Sequence, residues 1–258
     1  MRALLDGDIY AFRSAASAEN DNLGLAIFRV EEMIDKTLAE TGATEFSIFL
    51  SGDNNFRYQI YPEYKATRPK IKPRFLKEVK DYLIEKYKAA VSDGCEADDL
   101  LGIEQCAGNS KHNPGDALIK PEGQRATYPG QTIICSLDKD LRMIPGMHYS
   151  FEINGVSSLG KFWTRPMEIV NVEAFEGLKR FYTQLLTGDS TDNIKGAAGI
   201  GKVKAAAILR DCTTERELYK AVEANYSSEE ELLMNGQCLW IFRKPNDRWR
   251  IPVFETSE

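Results

Sequence analysis

The chain has 258 residues, 43% of them hydrophobic and 28% charged, enough for one large or two modest domains with a real core and unlike a disordered, fibrous or collagen-like composition. No apolar run nears the roughly 20 residues needed to span a bilayer. The five cysteines (Cys95, Cys106, Cys135, Cys212, Cys238) are odd in number and widely spaced, with no C-x-x-C pair. That pattern excludes a disulfide framework or zinc knuckle and places the chain in a reducing cytoplasm, the host's if it is phage-encoded. The only histidines, His112 and His148, stand far apart, so a His-rich metal site or a Ser-His-Asp triad is not expected and carboxylates are left to carry the chemistry.

Short apolar runs predict strands at Ala3 to Leu5, Phe46 to Leu50, Ala89 to Val91 and Thr132 to Cys135, with a weaker one near Tyr149 to Ile153. Helical spacing between them covers Leu23 to Leu38, Phe75 to Tyr87 and Ala97 to Cys106. Strands alternating with helices read as α/β with a mostly parallel sheet. Beyond about residue 170 helical signals dominate, over Glu173 to Leu186, Lys202 to Arg210, Glu215 to Asn225 and Glu229 to Trp240. The expected organisation is an α/β domain over 1–170 and a helical domain over 171–258. Residues 108–130, rich in Gly, Pro, Asn and Lys, read as a long surface loop.

Every predicted strand ends in acids: Asp6 and Asp8, then Asp53, then Glu96, Asp98 and Asp99, then Asp138 and Asp140. In an open α/β sheet ligands bind beyond the carboxyl ends of the strands, so these acids can meet in one site. Any single one is explained as a helix cap or turn former, the reading kept for Asp8 and Asp21. Their accumulation is not. So many like charges call for cations, and oxygen ligands without His or Cys select Mg²⁺ or Mn²⁺, in a pair suited to phosphodiester cleavage.

The segment Gly188 to Lys202 carries Gly188, Gly196, Gly199 and Gly201 with Asp189 and Asp192. Gly196 and Gly201-Lys202 fit part of a P-loop, but Val203 stands where a hydroxyl is required and no strand precedes, so an ATPase is rejected. A helix, a glycine turn and a second helix over 187–210 fit better, with amides free to hold a DNA phosphate. Net charge is −6, yet Tyr61 to Lys88 holds nine basic residues against four acidic ones, interleaved with Tyr64, Phe75, Tyr82 and Tyr87. Cations that track phosphates and aromatics that stack on bases are the devices of single-strand binding.

These features together resemble the superfamily of flap endonucleases and 5′→3′ exonucleases, most closely the bacteriophage exonucleases. The resemblance is carried by Leu5-Asp6-Gly7, Gly52-Asp53, Phe56-Arg57, Pro62-Glu63-Tyr64-Lys65, Glu96-Ala97-Asp98-Asp99, Ser136-Leu137-Asp138-Lys139-Asp140, and Gly188-Asp189 through Asp192-Asn193-Ile194 to Gly199-Ile200-Gly201. It implies a PIN-like sheet, a basic helical arch over 61–90 and a helix-hairpin domain. It also implies one metal at Asp6, Asp53, Glu96, Asp98 and Asp99 and another at Asp138, Asp140, Asp189 and Asp192. Lys65 and Arg68 would stabilise charge on the scissile phosphate and Tyr64 would stack on the terminal base. Lys70, Lys72, Arg74, Lys77 and Lys80 of the belt, and Gly199, Gly201, Lys202 and Lys204 of the hairpin, would hold DNA. The hairpin would also hold K⁺ near Gly196 to Gly201.

The expected protein is thus a monomeric Mg²⁺-dependent 5′→3′ exonuclease and flap endonuclease, acting on DNA and on the RNA strand of RNA/DNA hybrids, without membrane contact. Two rivals stand beside it. A PIN-type endoribonuclease shares the acids but needs neither glycine hairpin nor basic belt, and a non-catalytic DNA-binding module would bind without turnover.

Overall fold

In chain order, a computed structural model gives β1 (Arg2–Asp6), α1 (Gly7–Ser17), α2 (Leu23–Thr41), β2 (Glu45–Leu50), α3 (Arg57–Ile60), α4 (Leu76–Tyr87), β3 (Ala90–Val91), α5 (Ala97–Ser110), β4 (Thr132–Cys135) and β5 (Gly146–Ser150). There follow β6 (Ile153–Val156), β7 (Phe162–Arg165), β8 (Glu168–Val172), α6 (Ala174–Thr187), β9 (Gly188–Asp189), β10 (Ile194–Lys195), α7 (Lys202–Ile208), α8 (Glu215–Glu223) and α9 (Glu229–Leu239). Residues 1–69, 71–110, 131–156 and 161–254 are described. Lys70, His112 and residues 111–130 of the expected loop lie outside them; the loop's first three residues are instead the end of α5.

Six strands form one sheet in the order β3-β2-β1-β4-β5-β8. The first five are parallel and β8 runs antiparallel to β5. The α/β expectation holds. The chain winds outward from β1 through β2 to β3, then returns across the sheet to β4, which makes the β1/β4 boundary a topological switch point. The crevice at the carboxyl ends of those two strands is where such a sheet binds ligands.

Two layers of apolar side chains cover the sheet. On one side Ala3, Leu5, Ile48 and Ile133 pack with Tyr10, Val30 and Leu83 of α1, α2 and α4. On the other, Leu4, Phe49 and Ile134 pack with Leu101 of α5 and with Phe181, Leu185, Leu218, Leu232 and Trp249. The alternation of Ala3, Leu4 and Leu5 between the two layers is the period of a strand buried on both faces. The helices beyond residue 170 therefore share a core with the sheet.

Three features depart from expectation. Helix α1 was unread because its buried face is made of small residues, Gly7, Ala11, Ser14 and Ala15 around Tyr10. The segment 153–172 holds three strands, two of them an antiparallel hairpin with Phe162 and Trp163 exposed. Polar residues interrupt these strands, which obscured their alternation. The expected arch is helical only from Leu76, and α4 lies on α1 and α2 through Val79 and Leu83; residues 61–69 and 71–75 form turns and irregular backbone.

Candidate active site

The last residue of β1, Asp6, is also the N-cap of α1, its Oδ1 accepting the Ile9 amide at 3.3 Å. Its Oδ2 accepts the Ser136 hydroxyl at 2.7 Å, across the β1/β4 boundary. Burial pushes this carboxyl up to about 7, with Asp8 and Asp138 adding repulsion against the help of Ser136. Asp98, on the first turn of α5, is pushed well above the carboxylate range by burial and then by Asp6, Asp138 and Glu96. Asp138 is raised by burial, and its Oδ1 accepts the Asp140 amide at 2.8 Å. A cleft of about 750 Å³ opens over these groups, lined also by Asp8, Asp53, Lys65, Arg68, Lys72 and Lys80.

A second acidic group lies beside the first. Asp189, at the end of β9, accepts the amides of Thr191 and Asp192 at 2.7 and 3.3 Å and the Gln184 side chain at 3.2 Å. Burial, Asp138 and a side-chain hydrogen bond with Asp189 raise Asp140 to about 7. That bond and the two amides hold Asp189 below its usual range in spite of burial. A Cβ at Gly188 would stand 2.3 Å from the Gly196 amide nitrogen, and one at Gly196 equally near that of Gly188. Only glycine lets the β9-β10 turn fold tightly enough to present Asp189 and Asp192.

Between the two groups sit the chain's own cations. Lys65 pairs with Glu96 and stands 3.9 Å from Asp192, while Arg68 reaches Asp192 at 2.5 Å. The Tyr64 hydroxyl lies 2.9 Å from Glu96 Oε2 and 2.8 Å from Asp192 Oδ2. Burial pushes Glu96 up, but Lys65 and Arg57 outweigh it and the carboxyl rests below its ordinary value.

Two expected roles are corrected. Asp99 does not face the cleft: it is wholly buried, with the Arg57 guanidinium at 2.6 and 2.9 Å and the amides of Glu96 and Phe242 at 2.9 and 3.1 Å. A carboxylate with that many donors has no lone pairs left for an ion. Tyr64 is 3% exposed and packed in the core, so its ring cannot stack on a base; the exposed aromatics at the cleft are Phe12 and Tyr58, the latter edge-on to Tyr64 with centroids 5.6 Å apart. Of the belt, Lys72 and Lys80 line the cleft, Lys80 paired with Asp8 at 2.5 Å. Lys77 pairs with Asp81 at 2.6 Å and Arg74 lies over the Phe75 ring, both away from the cleft lining. Lys202 and Lys204 are exposed at the start of α7, whose N-cap Gly201 offers no side-chain bond to the first amides, and Gly199 makes the preceding turn at φ +69. Sequence reasoning passed over Asp8 as a turn former and read no role for Arg57; an arginine between two aromatics, Phe56 and Tyr58, was the available sign of a buried charge.

Residues 2–146 match the family described as the 5′-3′ exonuclease N-terminal resolvase-like domain. The chain belongs to this family. Relatives include DNA polymerase I of Bacillus caldotenax, 24% identical over 85% of this chain, of which the chain spans about a quarter (24%). The flap endonuclease Xni of Shewanella baltica is 25% identical over 81% of this chain and 73% of its own length. The 5′-3′ exonuclease of Buchnera aphidicola is 25% identical over 85% of this chain and 73% of its own. The fold is also that of the bacteriophage T5 flap endonuclease in a complex with DNA and metal ions, at TM-score 0.61 and 16% identity over 91% of this chain and 86% of that one. The T5 5′-exonuclease with bound zinc gives TM-score 0.57 at 18% identity over 91% and 88%.

The cleft's acids are all-oxygen donors, the chemistry of hard divalent ions. Among the described residues no donor reaches the Asp98 carboxylate, and no three acidic, histidine or cysteine side chains are yet closed around one ion-sized point. Like charges repel, and Lys65 and Arg68 draw Glu96 and Asp192 toward themselves. The donor set fits such ions, with closure left to side-chain movement. No helix among the described residues is long and apolar enough to cross a membrane.

Proposed function

We propose that the chain is a divalent-metal-dependent 5′ nuclease that hydrolyses phosphodiester bonds of DNA from or near a 5′ end. The observation that carries the reading is the convergence of Asp6, Glu96, Asp98, Asp138, Asp140, Asp189 and Asp192 at the switch point of the sheet, with Lys65 and Arg68 laid across them. Asp6, Asp53, Glu96, Asp98 and Asp138 would hold one Mg²⁺, and Asp138, Asp140, Asp189 and Asp192 a second. When bound, such ions acidify an attacking water and offset charge on the leaving oxygen.

The chain's own groups do the rest. Lys65 and Arg68, at the cleft wall, place positive charge where a scissile phosphate gains negative charge. Ser136 and the α1 amides fix Asp6, and the β9-β10 turn fixes Asp189. Lys72 extends the positive wall along the cleft for the backbone of a single strand, and the exposed Lys202 and Lys204 at the start of α7 suit a duplex phosphate. The reading extends to Mn²⁺ in place of Mg²⁺, K⁺ at the 196–201 turn, RNA/DNA hybrids as substrates and a monomeric protein.

A duplex bearing a 5′ flap, labelled in parallel at both ends, tests it with Mg²⁺ or EDTA. Mg²⁺-dependent release of the 5′ label in short products is expected, lost with Asp138→Ala while DNA binding is retained. Binding without cleavage would leave only a DNA-binding module.

A further inference from the structure

Arg57 lies outside the mechanism above, yet it is the largest of the fully buried side chains, 2% exposed. Its guanidinium has four strong partners: the two Asp99 oxygens at 2.6 and 2.9 Å, the Cys238 carbonyl at 2.8 Å from Nε and the Trp240 carbonyl at 2.7 Å. The residues joined are 181 and 183 positions apart in sequence. Asp99 in turn binds the Glu96 amide and the Phe242 amide, and Arg57 Nη1 stands 3.8 Å from Glu96 Oε2.

We infer that Arg57 is a positioning residue for the acids at the start of α5, which it aims into the cleft by clamping Asp99 against the segment 238–242. The argument is one of helix phase. Neighbouring residues on a helix point about 100° apart, so pinning Asp99 inward turns Asp98 toward the cleft. The bond from the Glu96 amide to Asp99 fixes the backbone from which the Glu96 side chain reaches Lys65 and Tyr64. The clamp is close on both sides: a Cβ at Gly102, one turn along α5, would stand 2.3 Å from the Phe242 carbonyl oxygen. A bidentate fork cannot be replaced by an ammonium, which presents no parallel pair of donors. The inference rests on the metal-dependent reading above, since what Arg57 orients is the ion-binding acids.

The test compares wild type, Arg57→Lys, and the neutral hydrogen-bonding pair Arg57→Gln with Asp99→Asn, which keeps the fold measurable should the lysine variant fail to fold. Each is melted by circular dichroism, titrated with Mn²⁺ by calorimetry without DNA, and assayed on the flap duplex. Folded variants are expected to bind Mn²⁺ about tenfold more weakly and to lose about tenfold in kcat, with KM for DNA changed less than about twofold. A folded variant with wild-type Mn²⁺ affinity and kcat overturns the inference and leaves Arg57 as a fold-stabilising pair only. Failure of wild type to bind Mn²⁺ would instead overturn the metal reading beneath it, and the inference with it.

Discussion

Lys65 shows how much one side chain is asked to do. It holds a left-handed backbone at φ 58, uncommon for a residue with a Cβ, its amide donates to the Asp192 carbonyl at 3.0 Å, and its ammonium sits on Glu96 over the Tyr64 ring. In that place it is a counter-ion that a divalent cation must displace. Lys65→Ala is therefore expected to bind Mn²⁺ about tenfold more tightly, about 1.4 kcal/mol, while cleaving far more slowly; weaker binding in calorimetry would contradict the counter-ion role. Arg57→Ala belongs at this scale too. Leaving Asp99 buried without its partner should cost about 3–5 kcal/mol in denaturant unfolding. Acids gathered at strand ends were legible in the sequence because strand ends and the switch point follow from the apolar runs. The difference between Asp98 and Asp99 was not, because two adjacent aspartates are alike until helix phase turns one toward the cleft and the other toward Arg57. Nor was the burial of Tyr64, which depends on α3 and the β9-β10 turn closing over it from distant parts of the chain.

At the scale of elements, the C-terminal helices were readable because α6 and α8 carry strong apolar stripes and α8 and α9 carry explicit caps. Thr214 and Glu217 form a capping box on α8, and Ser228 caps α9. The β6-β7 hairpin and β8 lacked such signals, since an exposed hairpin has no buried face to alternate against. Strand β5 contributes a titratable group of its own. His148 is buried, its Nε2 2.7 Å from the Ile144 carbonyl, and burial lowers it to about 4. Its folded value lies below the unfolded 6.5, so the unfolded state takes up the proton first. The neutral ring's contribution is complete above pH 6.5 and is lost as pH falls toward 4, by up to about 3 kcal/mol. Chemical denaturation at pH 7.5 and 4.5 should show a smaller acid loss in His148→Gln than in wild type; an equal loss would place the acid sensitivity elsewhere.

Across the whole molecule the site is a concentration of unfavourable charge. Asp6 and Asp140, at about 7 when folded, lie above their unfolded value of 3.8. The folded state therefore holds these protons more tightly, and the metal-free protein loses stability as pH rises through the interval to 7 and above. Divalent ions that bind the folded state alone reverse that loss. Millimolar Mg²⁺ should raise Tm at pH 8 and do little at pH 5; equal shifts would argue that Mg²⁺ acts outside the acid cluster. The apolar layer beneath α5 supports this cluster with residues from Leu4 to Trp249, so the sheet and the helices beyond residue 170 underlie the acids together.

The Arg57 fork closes on carbonyls some 180 residues downstream. During synthesis at about 5–20 residues per second, roughly 10 to 40 s must pass between the appearance of Arg57 and that of its partners. The site's acids are completed only with Asp192, and from then until residues 238–242 emerge a nascent chain carries them all without the clamp that sets those at the start of α5.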